Sequence, residues 1–156
     1  MTDPRIRIFT ADDQDAVKAL VLAGLADHWG EIDHTLNPDL NDIAGWYGPK
    51  RGYTIVLEIH NQIAGTGTIF ERNPQTVELV RMSVDRNHRG HGIGKRLVAA
   101  LVDEARQRGY AAIECETTDT WQDAINLYRS TGFQEIDRHG GDVFFRFNLH
   151  PSNETK

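Results

Sequence analysis

Cysteine is nearly absent: Cys115 stands alone among 156 residues, which rules out an internal disulfide framework and a Cys-rich zinc module. Long apolar runs are missing too, so nothing in the sequence reads as a membrane span, and the polar, acidic opening MTDPRIRIFTADDQD is unlike a secretory leader. Positive charge is in deficit, with 17 Lys and Arg against 23 Asp and Glu for a net charge of −6. That balance excludes a general nucleic-acid binder, which carries a basic face. No repeat, low-complexity tract or Pro/Gly/Ser-rich linker divides the chain. The expectation is one domain over residues 1–156 with a short polar tail at 150–156, in a reducing, cytoplasmic setting.

What is present is a legible alternation of periods. Arg5, Ile6, Arg7 and Ile8 alternate as a short strand, and Thr10 with Asp12 and Asp13 opens a helix carrying Val17, Leu20, Val21 and Leu25. A second helical segment is expected from near Pro38 to the Gly48-Pro49 stop. Three strands come next at Tyr53 to Ile59, Ile63 to Glu71 and Thr76 to Val84, spaced as an antiparallel meander. From Gly92 to Arg108 the period is helical, with Ile93, Leu97, Val98, Leu101, Val102 and Ala105 on one face and Gly109 as the stop. A buried strand is predicted over Tyr110 to Glu116, then a helix opened by Asp119 or Thr120 and closed by Gly132. Strands Phe133 to Arg138 and Val143 to Leu149 flank the hairpin turn Gly140-Gly141. The order β-α-α-β-β-β-α-β-α-β-β predicts an α/β (α+β) fold, a mixed and mostly antiparallel sheet of about seven strands with about four helices. Its strand–helix–strand crossover spans residues 76 to 116.

The chemically informative stretch runs from Val84 to Arg96. Gly90, Gly92 and Gly94 lie between a predicted strand and a long helix, where backbone amides turn toward one point and the helix adds its unpaired N-terminal donors. Arg81, Arg86, Arg89, Lys95 and Arg96 face only Asp85 within residues 81–96, a local excess that suits a phosphate-bearing ligand. Walker A spacing fails, because Arg89 stands where the first glycine belongs and Arg96 follows Lys95. The dinucleotide fingerprint fails as well, because Lys95 stands where its third glycine belongs. The pair His88-x-x-His91 lacks nearby carboxylate or thiolate partners in sequence, so no metal is expected.

Arg89-Gly90-His91-Gly92-Ile93-Gly94 is similar to the pyrophosphate loop Arg/Gln-x-x-Gly-x-Gly/Ala of the GNAT superfamily of acyl-CoA-dependent N-acetyltransferases. Leu79 to Val84 resembles that family's fourth strand, and Leu127-Tyr128 followed by Gly132-Phe133 resembles its Leu-Tyr-x-x-x-Gly-Phe motif. The resemblance implies acetyl-CoA as cosubstrate and direct transfer of acetyl to a primary amine. It implies that Met82, Ser83 and Val84 contact pantetheine and thioester through main chain, and that Arg89, Gly90, His91, Gly92, Ile93, Gly94 and Lys95 cradle the phosphates. Strands four and five are then expected to splay apart. Tyr128 matches the family's general acid toward the departing thiolate, the alternative being a ring packed in the core. Glu78, eleven residues before Arg89 as in the histone-acetyltransferase branch, is the expected base on an apolar strand face. His28, His34, His139 and Glu116 are the other bases to weigh. Cys115 reads as a small buried hydrophobe, with an acyl-cysteine role as the alternative. Trp121 stands where many members carry an Asn that contacts the coenzyme arm, and Asn126 is out of register for that task.

The resemblance implies an acceptor between the first two helices and the last hairpin. Here residues 27–48 hold five acids, no Lys or Arg, and Trp29, Trp46 and Tyr47. The expectation is a cationic amine, a small molecule or a lysine-like protein side chain, met by Trp29, Glu31, His34 and Trp46. A solvated acidic loop is the other reading. No nucleic acid or membrane partner is expected, and a homodimer is compatible with the resemblance. An acyl-CoA-binding sensor with little catalysis is the alternative function.

Overall fold

The computed structural model describes residues 4–30 and 36–149; the expected tail at 150–156 lies outside them. Seven strands form a single sheet in the order β1-β2-β3-β4-β5-β7-β6. They are β1 (Arg5–Ile8), β2 (Tyr53–Ile59), β3 (Gln62–Asn73), β4 (Thr76–Val84), β5 (Ala112–Thr118), β6 (Gln134–His139) and β7 (Asp142–Asn148). The helices are α1 (Gln14–Trp29), α2 (Ile43–Tyr47), α3 (Ile93–Gln107) and α4 (Gln122–Ser130). The element order and the mixed sheet agree with the expectation, and β4-α3-β5 is the parallel crossover.

Most boundaries differ from the expectation by one or two residues, and the following bear on the site. The segment after Pro38 is a 3-10 turn over Pro38–Asn41, then α2; extended Asp42 (φ −159°) separates them and caps α2 by accepting a hydrogen bond from Gly45 N at 3.0 Å. β5 begins at Ala112, two residues later than expected. α4 is capped by Trp121 rather than by Asp119 or Thr120, because Trp121 N donates first to Thr118 O in a turn.

Alternation along the strands divides the apolar residues between two cores. On one face, Leu97, Val98, Leu101 and Ala105 of α3 pack with Ile125 and Tyr128 of α4 on Ile55, Leu57, Ile69, Leu79, Ile113 and Phe145. Leu101 is about 1% exposed, so truncation to alanine there costs ~2–5 kcal/mol in transfer and cavity terms. On the other face, Val17 and Val21 of α1 meet Leu40, Ile43, Tyr47 and Val56. Gly67 permits the close approach of α3: a methyl group there would collide with Met82 Sδ and lie 3.0 Å from Leu101 Cδ1.

Two irregularities in β4 open the sheet beside it. Thr68 pairs with Val80 but Thr66 with Ser83, so β4 carries one extra residue, and Arg81 in the bulge adopts a left-handed φ of 57°. β4 and β5 pair only at Thr76↔Ala112, Val77↔Ile113 and Glu78↔Glu114. Beyond that point, among the described residues, β5 pairs with β7 alone, and the edge of β4 from Leu79 onward has no strand partner on that side. The two parallel strands splay, as expected, and leave a notch between them.

Candidate active site

The glycine loop stands at the mouth of this notch. Asp85 N donates to Ala64 O at 2.7 Å, which ties the end of β4 to β3, and Asp85 caps a short 3-10 turn over Arg86–His88. Gly90 (φ 83°) and Gly92 (φ 81°) take the left-handed conformations that glycine adopts without steric cost. Gly92 caps α3, whose first intrahelical bond is Arg96 N to Gly92 O at 3.1 Å. Among the described residues the amides from Gly90 to Lys95 find no acceptor. They are unsatisfied donors at the positive end of a fifteen-residue helix. Lys95, Arg89, Gly90, Gly92, Ile93 and Gly94 all line a cleft of about 960 Å³, with Met82, Ser83 and Val84 along its wall. His91 does not line it; its ring turns back on His88 O, 3.2 Å away.

The local excess of base is less free than the sequence suggests. Arg86 and Arg89 both donate to Asp27 of α1, Arg89 at 2.9 Å, and these guanidiniums, Arg86 first, hold the Asp27 carboxyl below its ordinary value. Arg89 Nε also donates to Val84 O at 3.0 Å. Arg81 belongs to a different assembly: it makes a bidentate pair with Asp39 at 2.7 and 2.9 Å, while Tyr47 donates to Asp39 at 2.6 Å. Burial alone would raise the Asp39 carboxyl, but bonds from Arg81 and Tyr47 outweigh it and hold it low. Arg81, in the β4 bulge, is therefore committed to Asp39 although it also lines the cleft. His88 Nδ1 lies 3.0 Å from Asp85 Oδ2, a carboxylate partner that motif spacing alone had discounted. Among the described residues no three His, Cys, Asp or Glu side chains cluster as a metal site.

Tyr128 projects from α4 to the cleft, with its ring 5.6 Å from Phe133 and 5.7 Å from Phe145. It is both packed and cleft-lining, and no described residue hydrogen-bonds its hydroxyl. Burial, then Cys115, pushes its phenol well above the usual value, so it remains a protonated donor. Cys115 is buried, and burial followed by Glu78, Glu116 and Glu114 pushes its thiol up; that fits a buried hydrophobe and not a thiolate nucleophile.

Glu78 lines the cleft, but its surroundings are not the apolar face expected. Arg72 reaches it at 2.9 Å and reaches Glu114 at 2.6 Å, and Glu114 also pairs with Arg146. Alternation puts Glu78 over the open half of the sheet, where β5 and β7 present charged residues. Glu116 differs. Continuing the register past Glu78↔Glu114 sets it across the notch from Val80, and it has no ion pair among the described residues. Desolvation, then Asp142 and Glu78, raises its carboxyl above the ordinary value, with Arg72 and His139 opposing.

On the acceptor side, Trp29 and Trp46 line the cleft with Leu25, Leu36, Phe70 and Val80. Glu31 and His34 lie outside the described residues. The acidic stretch is largely committed to structure: Asp27 to the loop arginines, Asp39 to Arg81, and Asp42 to the α2 cap. Besides Asp39, the acids that line the cleft are Glu78, Glu116, Asp123 and Asp142. Trp121 stacks on His28 with centroids 4.1 Å apart and planes 19° apart, and meets Trp29 at 5.1 Å. Sequence spacing carries no sign of this contact, nor of the role of Asp27, whose partners stand 59 and 62 residues away.

Residues 19–133 match the profile described as the Acetyltransferase (GNAT) family. The chain is 34% identical over 124 residues to N-acetyltransferase 8F1 of Rattus norvegicus, covering 76% of this chain and 56% of that protein. It is 35% identical over 107 residues to N-acetylaspartate synthetase of Danio rerio, covering 67% and 38%. It spans about half the length of the curated relatives it matches. An acetyltransferase of the GNAT family from Staphylococcus aureus Mu50 shares the fold, with TM-score 0.86 at 23% identity, covering 95% of this chain and all of that one. PaiA N-acetyltransferase of Thermoplasma acidophilum, solved with coenzyme A, shares it with TM-score 0.83 at 12% identity, covering 94% and 99%.

Proposed function

Because the chain belongs to the Acetyltransferase (GNAT) family, we propose that it is an acetyl-CoA-dependent N-acetyltransferase acting by direct attack of an amine on the bound thioester. One observation carries the reading: the acceptor-free amides of Gly90 to Lys95 open onto the notch where β4 leaves β5. Amides and dipole suit a diphosphate, and the partnerless edge of β4 suits an extended, amide-bearing arm. Acetyl-CoA supplies the thioester, whose carbon gains a bond to nitrogen as its bond to sulfur breaks. No metal is assigned a role.

This chain's residues then have defined tasks. Met82, Ser83 and Val84 align the arm by main chain, leaving the Ser83 hydroxyl to donate to Leu20 O at 3.2 Å. Tyr128 donates a proton to the departing sulfur. A carboxylate accepts the ammonium proton, directly or through water: Glu78 is the sequence-based choice, and Glu116 is the second reading. The absence of an ion-pair partner and the raised carboxyl of Glu116 favour it, since a base works best with a pKa nearer the operating pH. The acceptor is a primary amine, small-molecule or lysine-like, with Glu116 and Asp142 drawing its ammonium and Trp29 and Trp46 covering an apolar stem.

Thiol release from acetyl-CoA over a panel of cationic, neutral and anionic amines tests the proposal. Amine-dependent release supports the enzyme. Coenzyme binding with no release under any amine supports the sensor reading instead. Equal turnover of all three amine classes removes the acidic selectivity.

A further inference from the structure

Trp121 interrupts the family's pattern, and the structure gives it specific company. It caps α4 and lies seven residues before Tyr128, nearly two helical turns, so both face the cleft with Ala124 between them. Its indole stacks on His28 at 4.1 Å and 19°, and His28 Nε2 lies 3.8 Å from Asp123 in the first turn of α4. Trp29 closes against the same indole, with planes 52° apart. These contacts join two elements on opposite sides of the notch. α1 rides on β4, where Ser83 meets Leu20 and Gly24; α4 follows β5. The neighbour of His28 in sequence, Asp27, holds Arg86 and Arg89 of the glycine loop. Loop, α1, Trp121 and α4 are therefore joined in one series of contacts along the notch, and the aromatic pair is its link from α1 to α4.

We propose that His28 and Trp121 form an aromatic bridge that covers the pantetheine arm, so that Trp121 holds the coenzyme by enclosure where an Asn would hold it by hydrogen bonding. The inference rests on the reading that acetyl-CoA fills this cleft. His28 and Trp121 line the same cleft as the loop amides and Tyr128, so a ligand that spans from one to the other shares that cleft with the bridge. Stacked rings there exclude water from the thioester and slow escape of the arm. Both residues act as positioning groups.

The test uses the full chain and two ligands: acetyl-CoA, and 3′-phosphoadenosine 5′-diphosphate, which keeps the diphosphate but lacks pantetheine. Trp121→Ala is expected to raise the acetyl-CoA dissociation constant about tenfold, the equivalent of ~1.4 kcal/mol of aromatic contact, mainly through faster release seen by stopped flow. Binding of 3′-phosphoadenosine 5′-diphosphate stays within about twofold. Trp121→Phe restores most of the loss, and His28→Ala combined with Trp121→Ala loses less than the two effects multiplied together. Unchanged acetyl-CoA release in Trp121→Ala overturns the bridge, as does equal weakening of both ligands, which would mean a disturbed loop. If the unmodified protein binds neither ligand, the coenzyme reading itself fails and the bridge with it; if it binds both, a failure in the variants belongs to the bridge alone.

Discussion

Removing the Asp39 carboxylate isolates the assembly that holds the β4 bulge. Asp39, about 5% exposed, accepts two bonds from Arg81 and one from Tyr47. In Asp39→Ala the guanidinium keeps its charge in a site where it is only 23% exposed, and the Tyr47 hydroxyl loses its acceptor. Breaking a buried pair from one side costs ~3–5 kcal/mol. The residual exposure of Arg81 puts this case near the lower end, and ~3 kcal/mol is a large share of a typical domain's stability. Arg81 also sits at a left-handed φ that disfavours a side chain by ~1–2 kcal/mol, a cost its ion pair helps to offset. Urea denaturation of Asp39→Ala, Arg81→Ala and the double variant should return a coupling of about 2–3 kcal/mol. The melting temperature of Asp39→Ala should fall by about 6–12 °C. Acetyl-CoA binding should weaken too, because Met82 to Val84 come directly after the bulge. The folded Asp39 carboxyl is lowered, so its contribution is present above the unfolded value of ~3.9 and is lost as pH falls through the folded value. The variant should therefore lose less stability than the parent on acidification. A loss below about 1 kcal/mol, with no coupling to Arg81, would show that the pair neither stabilises the fold nor holds the bulge.

Further tests address the chemistry. Tyr128→Phe should lower turnover about 10²-fold while coenzyme binding, read by calorimetry, changes little; equal turnover refutes the acid role. Glu116→Gln should cost about 10²-fold in kcat/KM and abolish the rise of rate with pH that its ionisation governs, whereas Glu78→Gln should keep that rise, and the reverse pattern would make Glu78 the base. Because the folded Glu116 carboxyl is raised, its stability contribution is complete below the unfolded value of ~4.3 and is lost as pH climbs through the folded one. Glu116→Gln should accordingly gain stability over the parent at neutral pH and none in acid, measured by denaturant midpoints. Asp27→Asn frees Arg86 and Arg89 for the diphosphate and should tighten coenzyme binding severalfold, with the gain fading in high salt; weaker binding would mean that Asp27 orients Arg89 productively.

The amino-acid order by itself determined the periodic elements and the phosphate loop. Val and Ile alternation drew β2 to β4, the Ile93–Ala105 stripe drew α3, and Gly90, Gly92 and Gly94 marked the anion site, because each property acts between residues a few positions apart. Tyr128 was legible for the same reason, from its Leu-Tyr-x-x-x-Gly-Phe setting. What the tertiary structure decided was pairing across distance. Asp39 and Asp27 read as part of an acidic acceptor loop until folding set them on Arg81, 42 residues away, and on Arg86 and Arg89. Glu78 read as a carboxylate on an apolar face until β3 brought Arg72 beside it. Trp121 read as a missing contact until α1 laid His28 against it. Spacing carries information only within the reach of a turn or a strand repeat; the charge that neutralises a side chain and the ring that covers it come from whichever segment the sheet topology sets opposite.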